Sequence, residues 1–148
     1  MFKRKILSKL EAWKRDERHK PLILRGARQV GKTTVVNEFG SQFDNYLYFN
    51  LEMNESVRLF EMDIPLNDLV NMLFASLGKS QREGSTLIFI DEIQNSPKTI
   101  ALLRYFYEQR PDLYVIAAGS LLENLVDVNV SFPVGRVMYL ALRPCSFY

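Results

Sequence analysis

The run Gly26-Ala27-Arg28-Gln29-Val30-Gly31-Lys32-Thr33, with Thr34 behind it, has the residue types needed to hold a chain of phosphates. Phosphate oxygens need many hydrogen-bond donors within a small radius. Backbone N–H groups supply them only where the chain curls tightly, and Gly26 and Gly31 permit that curl because glycine accepts dihedrals that other residues avoid. A helix opening near Lys32 would aim the positive end of its dipole at the same oxygens. At this spacing Lys32 reaches the β- and γ-phosphates as a point charge and the Thr33 hydroxyl ligates Mg²⁺. Thr34, one residue deeper, approaches the α-phosphate. The nucleotide-binding set expected for ATP is therefore the whole run from Gly26 to Thr34, each residue included.

A second group lies 59 positions beyond Lys32, where the apolar run Leu87-Ile88-Phe89-Ile90 ends in Asp91-Glu92. A carboxylate at the carboxyl end of a parallel strand faces the ligand crevice. Asp91 is expected to hold the Mg²⁺ water shell, directly or through Thr33, and Glu92 to orient the water that attacks the γ-phosphate. The second acid favours transfer to water. A small-molecule kinase is the weaker alternative, and a nucleotide-binding switch with negligible hydrolysis in isolation is another. Ser120, after Ala117-Ala118-Gly119, is a candidate γ-phosphate sensor and equally a candidate helix N-cap. Arg136, in Pro133-Val134-Gly135-Arg136-Val137, is a candidate finger acting in cis or on a neighbouring subunit, or a surface arginine before a strand.

The elements that must position these groups are legible from periodicity. Ile6, Leu10 and Trp13 recur at helical spacing among charges, which predicts an amphipathic helix over 2–19 ahead of a nucleotide-binding core over 20–148. Leu22-Ile23-Leu24 reads as a buried strand, and a helix follows from Lys32 to Gly40. Tyr46–Phe49, Leu87–Ile90, Leu113–Ala118 and Val137–Leu142 read as further strands. Leu66, Leu69, Val70, Leu73, Phe74 and Leu77 trace a helix that stops at Gly78. Lys79–Ser85 reads as a loop. Ser96 and Pro97 open another helix as N-cap and first residue, and Pro111 ends it. A short helix is expected around Leu121, Leu122 and Leu125. Strands alternating with helices predict an α/β fold with a mainly parallel sheet covered on both faces.

Composition narrows the rest. The chain has 148 residues, enough for one domain with a sizeable core. One cysteine and one histidine exclude a disulfide within the chain and a zinc site of the usual kind. No apolar run approaches the roughly 20 residues needed to cross a membrane, and a cytoplasmic location is expected. His19, beside Lys20 and Pro21, reads as a surface histidine. Net charge is +2, but residues 1–20 carry eight Lys or Arg against three acids. That basic start could meet a nucleic acid or an acidic partner, although the solvated face of a helix is the simpler reading.

Leu24 to Thr34, Phe89-Ile90-Asp91-Glu92-Ile93-Gln94, Gly119-Ser120, Gly135-Arg136 and Leu140-Ala141-Leu142-Arg143-Pro144-Cys145-Ser146-Phe147 together resemble the prokaryotic AAA-like P-loop ATPases related to the archaeal ATPase and STAND groups. The resemblance implies a three-layer, five-stranded AAA+-type core, ATP and Mg²⁺ as ligands, and the roles above for Lys32, Thr33, Asp91, Glu92, Ser120 and Arg136. It also strengthens Arg136 as a nucleotide-sensing or finger arginine; a homo-oligomer or a partner subunit that supplies an arginine is a candidate partner. Ala117-Ala118-Gly119-Ser120 departs from the family's more polar turn. Relatives continue into a C-terminal domain, so the chain is expected to be the N-terminal ATPase domain alone.

Overall fold

The computed structural model describes residues 2–25, 31–119, 135 and 137–141. In chain order these form α1 (Phe2–Arg15), β1 (Leu22–Arg25), α2 (Lys32–Gly40), β2 (Asn45–Asn50), α3 (Asn54–Phe60), α4 (Leu66–Ser76), β3 (Thr86–Asp91), α5 (Pro97–Gln109), β4 (Tyr114–Gly119) and β5 (Met138–Ala141). A 3₁₀ turn, Ile93–Asn95, links β3 to α5.

The strands lie in the order β2-β3-β4-β1-β5, and every pairing is parallel. Alternation along each strand divides the core into two layers. Leu22, Leu24, Leu87, Phe89, Ile116 and Ala118 point to one face, where α1 and α2 bring Ile6, Leu10, Trp13, Val35, Val36 and Phe39. Ile23, Ile88, Ile90, Val115 and Ala117 point to the other, against Leu69, Leu73, Ile100, Leu103 and Phe106 of α4 and α5. All six residues of β3 are buried, as expected for a central strand covered on both faces. Each fully buried Leu, Ile or Phe contributes roughly 1.5–3 kcal/mol, so the two layers hold the strand ends in place.

Two expectations are corrected. The first helix ends at Arg15 rather than extending to residue 19, because the Asp16 side chain accepts the Arg18 N–H at 2.9 Å and closes a turn instead of another helical rung. His19 is not a surface residue: it is 7% exposed. Its ring stacks on Tyr114 at 3.9 Å, and Nε2 lies 3.0 Å from the Leu113 carbonyl. The turn after α1 folds the ring back into an aromatic cluster with Trp13 and Tyr114, and its hydrogen bond to Leu113 spans 94 positions of sequence. The helix α3 had no counterpart in the periodicity. It has seven residues, and only Phe60 is buried.

The α5 start matches its sequence signature: Pro97 is the first helical residue, and Ser96 Oγ accepts the Thr99 N–H at 3.2 Å. The helix expected around Leu121, and the residues Gly26, Ala27, Arg28, Gln29, Val30, Ser120 and Arg136, lie outside the described residues.

At the other end of α2, Gly40 abuts the Tyr46 ring so closely that an added Cβ would lie 2.7 Å from it, at the base of the ring rather than its flexible tip. Gly40→Ala is expected to lower stability by about 1–3 kcal/mol through overpacking. Urea unfolding would measure it, and an unchanged midpoint would contradict the packing described.

Candidate functional site

The carboxyl ends of β1, β3 and β4 lie side by side because β4 sits between the other two, paired in register with both. Into this end of the sheet comes the amino terminus of α2. Gly31 precedes it at φ 74° and ψ 30°, in the left-handed region that glycine adopts at no steric cost. The helix thus begins at Lys32, whose side chain is 5% exposed. A lysine so buried keeps its charge close to whatever occupies the adjoining space.

Thr33, on the first turn of α2, donates its hydroxyl to Asp91 Oδ2 at 2.9 Å. Asp91 is the last residue of β3 and is 5% exposed. Its other oxygen, Oδ1, accepts the Glu92 N–H at 3.0 Å. The hydroxyl of Tyr48, from the neighbouring strand β2, also donates to Oδ2, at 3.1 Å. One carboxylate thus collects three hydrogen bonds from three segments, which fixes its plane. Burial first, and then the Asp91 charge, push the Tyr48 phenol from its ordinary 10.0 up to about 12.

Glu92 adopts φ 54° and ψ 46°, and it is the one non-glycine residue with positive φ among the described residues. That conformation costs about 1–2 kcal/mol. It turns the chain sharply off β3, and the Glu92 side chain, 8% exposed, accepts the Gln94 amide N–H on Oε1 at 2.8 Å.

These groups face a cleft of about 340 Å³, lined by Gly31, Lys32, Thr33, Thr34, Tyr48, Asn50, Glu52, Asp91 and Glu92. Its position, outside the carboxyl ends of parallel strands, is where open α/β sheets bind ligands. A cavity of about 320 Å³ at the opposite end of the sheet includes Arg82, Arg110 and Asp112. There Arg110 is held by both oxygens of Asp112, at 3.1 and 3.0 Å.

A family model described as an AAA domain matches residues 18–148. The chain belongs to this AAA-domain family. It is an AAA+-like P-loop ATPase domain with an α/β fold and a parallel five-stranded sheet. Solved structures share that fold. The Walker-type ATPase PABY2304 of Pyrococcus abyssi aligns over 97% of this chain and 54% of its own, at 20% identity and a TM-score of 0.58. The ORC1 protein of Aeropyrum pernix, solved in complex with DNA, aligns over 96% and 44%, at 18% identity and a TM-score of 0.57. Drosophila ORC bound to DNA aligns over 91% and 41%, at 17% identity and a TM-score of 0.60. The chain spans about half the length of these proteins or less. No curated protein matches it in sequence.

In this AAA domain the fold brings Gly31, Lys32, Thr33, Thr34, Asp91 and Glu92 to one cleft. Sequence reasoning missed Tyr48, Asn50 and Glu52. The only signal was their place at and just beyond the end of the strand that pairs with β3, and that pairing is not written in the local sequence. No helix among the described residues is long and apolar enough to cross a membrane.

The Tyr48 phenol carries a sign-definite consequence. Its proton is held more tightly in the folded protein, so its contribution to stability is whole below pH 10. That contribution is lost as pH rises toward about 12, where the unfolded chain has already released the proton. Tyr48→Phe should therefore lose less stability than wild type between these limits. Urea midpoints at stepped pH would show it, and parallel declines would refute it.

Proposed function

We propose that this AAA domain binds ATP with Mg²⁺ and hydrolyses it to ADP and phosphate. The observation that carries the reading is the 2.9 Å hydrogen bond from Thr33 Oγ1 to Asp91 Oδ2, which joins the start of α2 to the end of β3 beside a buried lysine. Two hard oxygen donors side by side suit Mg²⁺, which takes one or two protein ligands and completes its shell with water and substrate phosphate. Thr33 and Asp91 are the residues that would hold the ion. When bound it neutralises charge on the β- and γ-oxygens.

The chain's own groups do the remaining work in this reading. Lys32 binds the β- and γ-phosphates. The N–H groups at the start of α2 and in the preceding loop, residues 26–31, bind phosphate oxygens. Glu92 orients a water molecule and accepts its proton as the water oxygen bonds to the γ-phosphorus. The bond from that phosphorus to the β–γ bridging oxygen breaks, and ADP leaves. Ser120 as γ-phosphate sensor and Arg136 as finger complete the proposal, with hydrolysis coupled to a partner or a further domain. The acid placed beside Asp91 supports water as acceptor over a small-molecule hydroxyl.

Calorimetry with Mg-ATP tests the binding step. Lys32→Ala removes a charge-assisted contact of roughly 1.5–3 kcal/mol, so affinity should fall about tenfold to a hundredfold. A folded wild-type protein that takes up no Mg-ATP would sink the reading. Glu92→Gln tests the chemical step. Phosphate release should slow roughly 10²- to 10⁴-fold while Mg-ATP affinity stays within about twofold. Equal turnover in the two proteins would remove Glu92 from the chemistry.

A further inference from the structure

Two departures from local rules stand two residues apart. Glu92 is held in a left-handed conformation, and Gln94 Oε1 is a buried oxygen with no hydrogen-bond partner among the described residues. Buried polar groups are nearly always paired, so an orphan carbonyl asks what its side chain does instead. The answer lies at the other end of the same amide. Nε2 donates to Glu92 Oε1 at 2.8 Å. The assignment of the two amide atoms follows from chemistry, since a carboxylate oxygen can only accept. Satisfying the carbonyl by rotating the amide would put oxygen against oxygen at Glu92.

The turn that carries Gln94 is pinned at both ends. Asn95 N–H bonds back to the Glu92 carbonyl at 3.2 Å, and Ser96 N–H to the Ile93 carbonyl at 3.0 Å. Ile93 is fully buried. Ser96 Oγ donates to Glu61 Oε2 at 2.6 Å, tying the turn to the residue that follows α3. A donor mounted on a turn this constrained is preorganised, and it does not need to be gathered when substrate arrives.

We propose that Gln94 is the positioning residue of Glu92: its amide fixes the carboxylate so that the acid meets the attacking water in one orientation. The inference rests on the proposed hydrolysis and adds a residue to it. Gln94 does not line the cleft and is assigned no contact with nucleotide. Its influence runs through Glu92 alone, and that gives the role a signature.

The test is a double-mutant cycle on the full chain. Gln94→Met keeps the length and shape of the side chain and removes the donor. It is expected to lower kcat for ATP hydrolysis about tenfold or more while Mg-ATP affinity by calorimetry stays within about twofold. In the Glu92→Gln background the same substitution should change the residual rate by less than about twofold, because the group it positions is already gone. If Met is not accommodated and the variant fails to fold, Gln94→Ala removes the donor without filling the space and carries the same expectations. A Gln94 variant with unchanged or raised kcat overturns the proposal, and so does an equal loss in both backgrounds. A wild type that binds Mg-ATP but turns over no faster than Glu92→Gln overturns it as well, since Glu92 then has no rate for Gln94 to set. A folded wild type that binds no Mg-ATP is the distinct result that removes the nucleotide reading itself.

Discussion

The hydrogen bond between Thr33 and Asp91 is the contact on which the rest of the arrangement turns. It joins residues 58 positions apart, and it requires three things at once. The loop must leave β1 so that α2 starts at the sheet end. The strand β3 must stop at Asp91 and not a residue earlier or later. And β4 must lie between β1 and β3, setting their separation. A slip of β3 by one residue would carry Asp91 to the opposite face of the sheet and bring an apolar side chain in its place. The register of β3 against β2 and β4 thus sets the geometry of the cleft as well as the packing.

The apolar layers enforce that register. Leu87 and Phe89 face α1 and α2, while Ile88 and Ile90 face α4 and α5, so displacing β3 would disturb both cores together. Against this well-packed frame, the exceptions to local rules are concentrated. Glu92 adopts a conformation that non-glycine residues avoid, and Gln94 buries an unpaired oxygen, both within the turn that leaves β3. By contrast, Ser96 caps α5 where its type predicts, and Gly31 takes the positive φ that precedes α2. Two such conflicts in one turn beside a cleft are what a chain shows when geometry there is set by chemistry and not by stability.

The N-terminal helix illustrates a different use of packing. Its basic residues Arg4, Lys5, Lys9 and Arg15 are exposed, while Ile6, Leu10 and Trp13 close the layer over α2. Lys14 reaches the Gln42 carbonyl and lies over the Phe43 ring. Trp13, His19 and Tyr114 then lock the helix end to the start of β4. The positive charge of this segment is thereby carried on an outward face of the helix.

The amino-acid sequence by itself determined the elements and the chemical inventory. Apolar runs marked the five strands, and helical spacing marked four of the five helices among the described residues, because burial leaves a pattern in the chain. The glycines around Gln29 and the acids after Ile90 pointed to phosphate and metal chemistry, because a tight backbone curl calls for glycine and a carboxylate at a parallel strand end faces the crevice. Tertiary structure alone decided what the repeat does not encode. The strand order put Tyr48 beside Asp91, and the turn after α1 buried His19, which its polar neighbours had suggested was exposed. The backbone at Glu92 set the amide of Gln94 against a carboxylate. Each of these depends on which distant segments meet, and local pattern reports only that a face is buried, never what it is buried against.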